Sequence, residues 1–378
     1  MKKKICFVVA RYGTALNFLK EPIRKLSSRY DVYLVADIKP EDDLSKLDLA
    51  GYKSIPIQRR PNLRCDVKAL RELICYFKAM RFDSVHSITK KASLLTTIAG
   101  RLTGVPHRLH HFTGQMWSTM TGFRRWFYKY MDLFIAWSDT DLLVDGESQK
   151  EYLEEQGILK PGQATVLGKG SICGIDTKRF CRDEGVRISV RRELDLEEDK
   201  VVFISLGRLK REKGIYELLS AFNKITPSCE NAVLLLVGAD EEGCMARLSD
   251  YSNLQEGRNV IYYGVTMTPE HLYNAADVYV LPTYREGFGL SILEASATAL
   301  PVITSDTYGV RDSIVENVTG VRCKTYDVET LAECIERLYS DKKLRERMGN
   351  EGVKYVNEFF TSEKISGEWF DYYVSVVV

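Results

Sequence analysis

Short apolar runs alternate with amphipathic stretches along most of this chain. Ile5–Ala10 is uninterrupted by polar residues and reads as a buried strand ending at a turn opened by Gly13. Leu16, Leu19, Ile23 and Leu26 then recur at helical spacing, and Val32–Ala36 forms the next strand. A helix near Val67–Met80, a strand at Ser84–Ile88, a helix near Ser93–Thr103 and a strand at His107–His111 continue the pattern. Such alternation predicts a parallel sheet covered by helices on both faces.

Beyond Gly146 turn residues cluster, with Pro161-Gly162, Gly168, Gly170 and Gly174 preceding Asp176. A domain junction is placed there, dividing the chain into 1–175 and 176–378. Strands Val201–Leu206, Val233–Val237, Val260–Tyr263, Val278–Leu281 and Val302–Thr304 follow, with helices at Tyr216–Ile225, Glu270–Ala275 and Ser291–Ala299. The closing Tyr372–Val378 run reads as a helix packing back on the first domain or as a plain tail. The expected fold class is α/β, with two doubly wound, Rossmann-like domains. In such sheets ligands bind beyond the carboxyl ends of the strands.

A length of 378 residues exceeds one ordinary core and agrees with two domains. With 45% apolar and 28% charged residues, disorder and fibrous repeats are excluded. The nine cysteines are an odd, unpatterned set, so reduced thiols in a cytoplasmic protein are expected rather than structural zinc. Lys2-Lys3-Lys4 before six apolar residues imitates a signal peptide, but the apolar run is too short for one.

The net charge of +1 conceals opposed halves. Residues 1–180 hold 30 Lys and Arg against 19 Asp and Glu, a balance of +11; the remainder, with 23 against 33, carries −10. One half is therefore suited to an anionic partner.

Five runs carry candidate chemistry. In Leu281-Pro-Thr-Tyr-Arg-Glu286-Gly-Phe-Gly289-Leu-Ser-Ile-Leu-Glu294, a strand gives way to a glycine turn and a helix. Glycines allow close backbone approach to a ligand, and the free N–H groups of a helix start suit phosphate or hydroxyls. Either glutamate alone reads as solvated surface; the pair with its glycines does not. In Gly207-Arg208-Leu-Lys-Arg-Glu-Lys213-Gly214, Arg208 and Lys213 flank a helix-entry loop and could converge on one diphosphate, while Lys210 and Arg211 read as solvated.

Gly13 follows the first strand without a GxGxxG pattern, so a dinucleotide-dependent dehydrogenase gains no support. His110, His111 and Thr113 end another strand, with no Cys or carboxylate spaced for a metal. Finally, Phe123-Arg124-Arg125-Trp126-Phe127-Tyr128-Lys129 mixes cations with aromatics, and Arg59-Arg60, Arg64, Lys68 and Arg71 add to the charge. That mixture suits an anionic membrane interface, here through Arg124, Arg125, Trp126 and Lys129, or an ordinary amphipathic helix. No nucleic-acid motif accompanies it.

Together these runs resemble the large retaining glycosyltransferase family of GT-B fold, family four in the sequence classification. The similarity rests on Gly207-Arg208, Lys213-Gly214, the Glu286/Glu294 pair with seven residues between them, and Gly174-Ile-Asp176-Thr-Lys-Arg-Phe180. It implies two Rossmann-like domains facing a central cleft, with the acceptor on 1–175 and a nucleotide sugar, UDP-linked, on 176–378. It implies catalytic roles for Arg208, Lys213 and Glu286. Donor contacts would come from Gly13, Gly287, Phe288, Gly289, Leu290, Ser291 and Glu294, the last on the ribose.

Thr113 stands where many members carry a catalytic histidine, leaving His110 or His111 as candidate substitutes on the acceptor side. A subset with similar Thr89-Lys-Lys-Ala92 and Phe112–Trp117 stretches acts on polyprenyl-diphosphate-linked sugars in bacterial polysaccharide assembly. The resemblance therefore implies a peripheral enzyme on the cytoplasmic membrane face, requiring neither cofactor nor metal. The alternatives are a sugar-nucleotide epimerase of the same fold and a catalytically idle homologue that binds lipid or protein.

Overall fold

A computed structural model describes residues 2–58 and 62–377; Arg59 and Arg60 lie outside the described residues. The chain forms two compact units: residues up to Gly174 with those from Ser362 onward, and Ile175–Thr361. Both are doubly wound, Rossmann-like sheets.

The first unit holds seven parallel strands: β1 (Lys4–Arg11), β2 (Asp31–Asp37), β3 (Gly51–Ser54), β4 (Ser84–Ser87), β5 (His107–Phe112), β6 (Asp141–Val144) and β7 (Ala164–Val166). Their order is β3-β2-β1-β4-β5-β6-β7, so the winding reverses between β1 and β4. Ile5 to Ala10 are buried throughout, as expected for a central strand covered on both faces. The ends of β1 and β4 are tied where the Ala10 amide donates to Thr89 Oγ1 at 3.0 Å. Gly13 lies in the first turn of a helix, Tyr12–Phe18, that follows β1 directly, rather than in a separate turn. A second helix, Lys20–Ser27, takes up the later part of the apolar spacing. The helix Ser362–Val376 packs on Lys20–Ser27 within this unit.

The second unit holds six parallel strands: β8 (Val201–Leu206), β9 (Ala232–Val237), β10 (Val260–Gly264), β11 (Val278–Leu281), β12 (Val302–Ser305) and β13 (Gly320–Cys323). The order β10-β9-β8-β11-β12-β13 places the reversal between β8 and β11. Both flanking strands end in candidate loops, Gly207–Gly214 after β8 and Pro282–Gly289 after β11. A crevice at such a reversal is where open α/β sheets hold ligands, because adjacent loops leave in opposite directions. Phe203, Leu218, Phe222, Leu234, Leu236 and Val280 belong to its core.

Candidate functional site

Two loops of the second unit are fastened to each other at several points. The short 3₁₀ turn Arg211–Lys213 presents the Glu212 carbonyl, which accepts from the Tyr284 amide at 2.9 Å and from Thr283 Oγ1 at 3.1 Å. The Glu212 carboxylate accepts from Lys210 at 2.7 Å and from Arg285 at 3.0 Å. Burial pulls this carboxyl up, but Lys210 and Arg285 outweigh it and hold it below its ordinary value. Lys210 is therefore not solvated, as its run of charges suggested; it is a largely enclosed partner of Glu212.

Beside this clamp, Lys213 Nζ donates to the Glu286 carboxylate. The turn needs glycine immediately afterwards: Gly214 has φ +73°, and a Cβ there would lie 2.0 Å from the Pro282 carbonyl oxygen. Arg208 has a different partner. Its side chain is 52% exposed and meets the Glu241 carboxylate at 3.4 Å.

The helix Leu290–Ala297 starts at Gly289, whose φ of +78° no ordinary side chain adopts readily, and no side chain caps its first amides. The N–H groups of Leu290 and Ser291 thus carry the positive end of the helix. Ser291 Oγ is held 2.7 Å from the Tyr279 hydroxyl, which rises from β11. Phe288 turns its ring into the interior against Phe360, leaving its backbone to the loop. Gly287 and Glu286 are backed by Gly309, where a Cβ would come within 2.4 Å of the Glu286 carbonyl oxygen.

One turn into that helix, Glu294 Oε2 accepts from the Tyr273 hydroxyl at 3.2 Å. Enclosure pushes its carboxyl up to about 7, against the Tyr273 hydrogen bond and the charge of Arg179. Arg179 comes from the Asp176–Phe180 run and is held by Glu270 at 2.8 Å and the Met267 carbonyl at 3.0 Å. The arrangement offers an ammonium, an uncapped helix start and two carboxylates around one strand reversal. Those are the groups a phosphorylated, hydroxyl-rich ligand requires.

The first unit places its candidates differently. His110 is buried, with Nδ1 3.2 Å from Ser87 Oγ and its ring edge against Phe112. Burial, then the neighbouring His111, push His110 down to about 3. His111 is fully buried, with Nε2 3.0 Å from Asp145 Oδ1. It stacks with His86 and Trp369. Thr113 is partly exposed, and its carbonyl accepts from Gln115 Nε2 at 2.7 Å. Gly13 is exposed with open space around its Cα.

On the helix Gly122–Ser138, Arg124 and Trp126 are exposed, whereas Arg125 and Lys129 fold back. Arg125 donates to the carbonyls of Trp117 and Ser118, and both cations reach Gln156 and cover the Trp117 ring. Among the described residues no group of three or more His, Cys, Asp or Glu is placed to hold a metal ion.

Glu212, Arg285, Tyr273, Arg179 and Gly309 escaped the reading of the sequence. Glu212 and Arg285 lie within the two motifs, but among charges that read as solvated. Gly309 had no signal, because only the fold brings it behind Glu286.

Comparison with known proteins supplies a chemistry for these loops. The family profile described as glycosyl transferases group 1 matches residues 186–355, which include both loops. The capsular polysaccharide biosynthesis glycosyltransferase CapM of Staphylococcus aureus is 32% identical over 366 residues, covering 97% of this chain and 95% of that one. An Escherichia coli UDP-Gal:alpha-D-GlcNAc-diphosphoundecaprenol alpha-1,3-galactosyltransferase is 26% identical over 325 residues, 85% and 82% of the two chains. Among solved structures, Anabaena HepE in complex with UDP and glucose superposes with a TM-score of 0.81 at 16% identity, covering 99% of this chain and all of that one.

Proposed function

The chain belongs to the group 1 glycosyl transferases, in the GT-B fold, and from that premise we propose that it moves a sugar from a UDP-sugar to a lipid-diphosphate-linked saccharide. The observation that carries the proposal is the convergence of Lys213, Glu286 and the uncapped start of Leu290–Ala297 on the β8/β11 reversal. A nucleoside diphosphate needs that combination: cations and amides for the phosphates, carboxylates for ribose and sugar hydroxyls. The lipid-diphosphate acceptor is supported by the E. coli relative, whose name specifies such a substrate.

In this reading Arg208 and Lys213 stabilise charge as the diphosphate departs. Glu286 and the amides of Gly287, Phe288 and Gly289 hold the transferred sugar, and Glu294 accepts from the ribose. The acceptor hydroxyl attacks from the face the diphosphate leaves, so configuration is retained. The bond from the anomeric carbon to the diphosphate breaks, the bond to the acceptor oxygen forms, and the hydroxyl proton leaves with the diphosphate. Cations of the protein take the place of a metal, and the enzyme works on the cytoplasmic face of a membrane.

Nucleotide release tests this. UDP-, GDP- and ADP-sugars would be incubated in EDTA with and without a detergent-solubilised polyprenyl-diphosphate sugar. UDP release that depends on the acceptor is expected. Release from a GDP- or ADP-sugar alone would correct the donor, and no release from folded protein would overturn the proposal.

A further inference from the structure

The helix Gly122–Ser138 keeps an apolar face in solvent along its whole length. Phe123, Trp126, Phe127, Tyr130, Leu133, Phe134 and Trp137 are all exposed, from 36% at Phe134 to 75% at Phe123. Their spacing of three and four residues puts them on one side of the helix, over roughly 21 Å at 1.5 Å per residue. The opposite side supplies the buried Asp132, Ile135 and Ala136. So the aromatics are not the core side of an ordinary amphipathic helix; the core side is already occupied.

The exposed rings pack largely on one another. Trp126 and Tyr130 have ring centroids 4.4 Å apart, and Phe123 stacks on Trp126 at 5.7 Å. Arg101, from the neighbouring helix Lys90–Thr103, lies over the Trp137 ring at 4.3 Å, and Leu102 beside it is exposed. An exposed apolar area of this extent in a soluble protein marks a contact surface.

Charge decides what covers it. The helices Lys90–Thr103 and Gly122–Ser138 together carry Lys90, Lys91, Arg101, Arg124, Arg125 and Lys129, and a single acid, Asp132. Asp132 is buried and accepts from Trp117 Nε1 at 2.6 Å. No carboxylate of either helix therefore faces the surroundings, while Arg101 and Arg124 stand exposed at the margin of the rings. An apolar strip of Trp, Tyr and Phe, on helices whose exposed charges are all cations, complements the boundary between anionic headgroups and acyl chains.

We infer that the face of Gly122–Ser138 bearing Phe123, Trp126, Phe127, Tyr130 and Trp137 inserts into the surface of an anionic lipid bilayer. The inference rests on the lipid-linked acceptor proposed above, which brings the enzyme to a membrane, and names the face that meets it. Attachment is driven by burial of the rings, with Arg101 and Arg124 adding attraction; Arg125 and Lys129 serve the fold instead.

The chain contains its own probe. Of its four tryptophans, Trp117 and Trp369 are fully buried, and the exposed pair, Trp126 and Trp137, both lie on this face. Full-length protein would be mixed with vesicles of phosphatidylcholine and phosphatidylglycerol carrying bromine on the acyl chains. Quenching of tryptophan fluorescence is expected, because bromine in the acyl region quenches only rings that have entered it. It should persist at about 1 M salt, where the screening length falls to roughly 3 Å. Phe123→Ser with Phe127→Ser, which leaves both probes in place, should weaken partitioning by about tenfold or more.

Absence of quenching, or quenching abolished by salt, would overturn the inference. So would self-association that shields the tryptophans while lipid leaves them unquenched, since the face would then belong to a protein partner. Transfer to a short-chain, water-soluble acceptor would be measured in parallel. Its loss would fault the functional reading, whereas intact transfer without quenching would fault this docking face alone.

Discussion

Lys213 and Glu286, seventy-three residues apart in the chain, form an ion pair that joins the loop after β8 to the loop after β11. The pair leaves both side chains largely enclosed, Lys213 24% and Glu286 18% exposed. An incoming diphosphate would share Lys213 with Glu286. Under the proposed function, each group would therefore set the strength of the other toward the donor.

Removing the cations should cost rate rather than fold. Lys213→Ala and Arg208→Ala should each lower turnover by about 10²–10³, with unchanged circular dichroism. Lys213→Ala combined with Glu286→Gln should lose less than the sum of the single losses, because the two groups touch. Near-normal turnover for Arg208→Ala would remove Arg208 from the site and leave it as the surface partner of Glu241.

Glu212 touches neither proposed substrate and should still matter. In Glu212→Gln the carbonyl continues to accept from Tyr284 and Thr283, so the loops stay joined. What disappears is the charge that holds Lys210 and Arg285, worth about 1–2 kcal/mol of stability. Turnover should fall about tenfold, with Glu212→Asp recovering part of it. A variant with wild-type turnover and lowered stability would make Glu212 a structural residue only.

The fold was legible because the apolar runs of parallel strands are buried on both faces and stand out without alternation, as in Ile5–Ala10 and Val233–Val237. Lys4–Arg11 and Ala232–Val237 differ from those runs only by end residues, the polar Lys4 and Arg11 in one and Ala232 in the other. Asp141–Val144 and Gly320–Cys323 were missed, since four residues beside turns offer too little pattern. At the site, the motifs after β8 and β11 were visible by their glycines and charges. Glu212 was hidden in a run of charges that looks solvated, and Tyr273 on a helix whose neighbours only packing reveals. The direction of the aromatics on Gly122–Ser138 was undecidable from spacing, because Phe123 and Ile135 both fit a helical stripe yet lie on opposite sides of it.

Two glycines separate support from contact. Gly309→Ala places a Cβ 2.4 Å from the Glu286 carbonyl oxygen at a φ of +83°, so it should cost at least about 2 kcal/mol and displace Glu286. Gly13→Ala meets nothing within 4 Å and lies in a helix, so thermal stability should hold or rise slightly. If its amide meets the donor phosphate, Gly13→Ala should nevertheless raise the KM for the donor severalfold; an unchanged KM would take Gly13 out of the site.

The first unit should be sensitive to acid. Burial holds His110 at about 3 and His86 well below its ordinary 6.5, so both are neutral when folded. Unfolded, each binds a proton below about 6.5, and the unfolded state then holds more protons than the native one. The stability His110 contributes is present above 6.5 and is lost as pH falls toward 3, at up to about 1.4 kcal/mol per pH unit, and His86 acts in the same direction. Denaturant titrations across that range should show the decline, and His110→Gln should make it shallower. An identical slope in the variant would exclude His110 as a source.

Glu294 titrates in the opposite sense and near the working pH. Its folded carboxyl sits at about 7, above the ordinary 4.5, so its contribution to stability is complete below 4.5 and lost as pH rises through 7. Donor binding reverses the balance. In the proposed complex, ribose hydroxyls would donate to the carboxylate and favour its charged form, which would lower its pKa. Affinity should therefore rise between about pH 5 and 7 and level off above. The nucleotide phosphates titrate in this range too, so the informative quantity is the difference between the wild type and Glu294→Gln, measured by calorimetry with UDP. In that difference the rise should appear as a proton released on binding near neutral pH. Parallel curves for the two proteins would show that Glu294 does not meet the ribose.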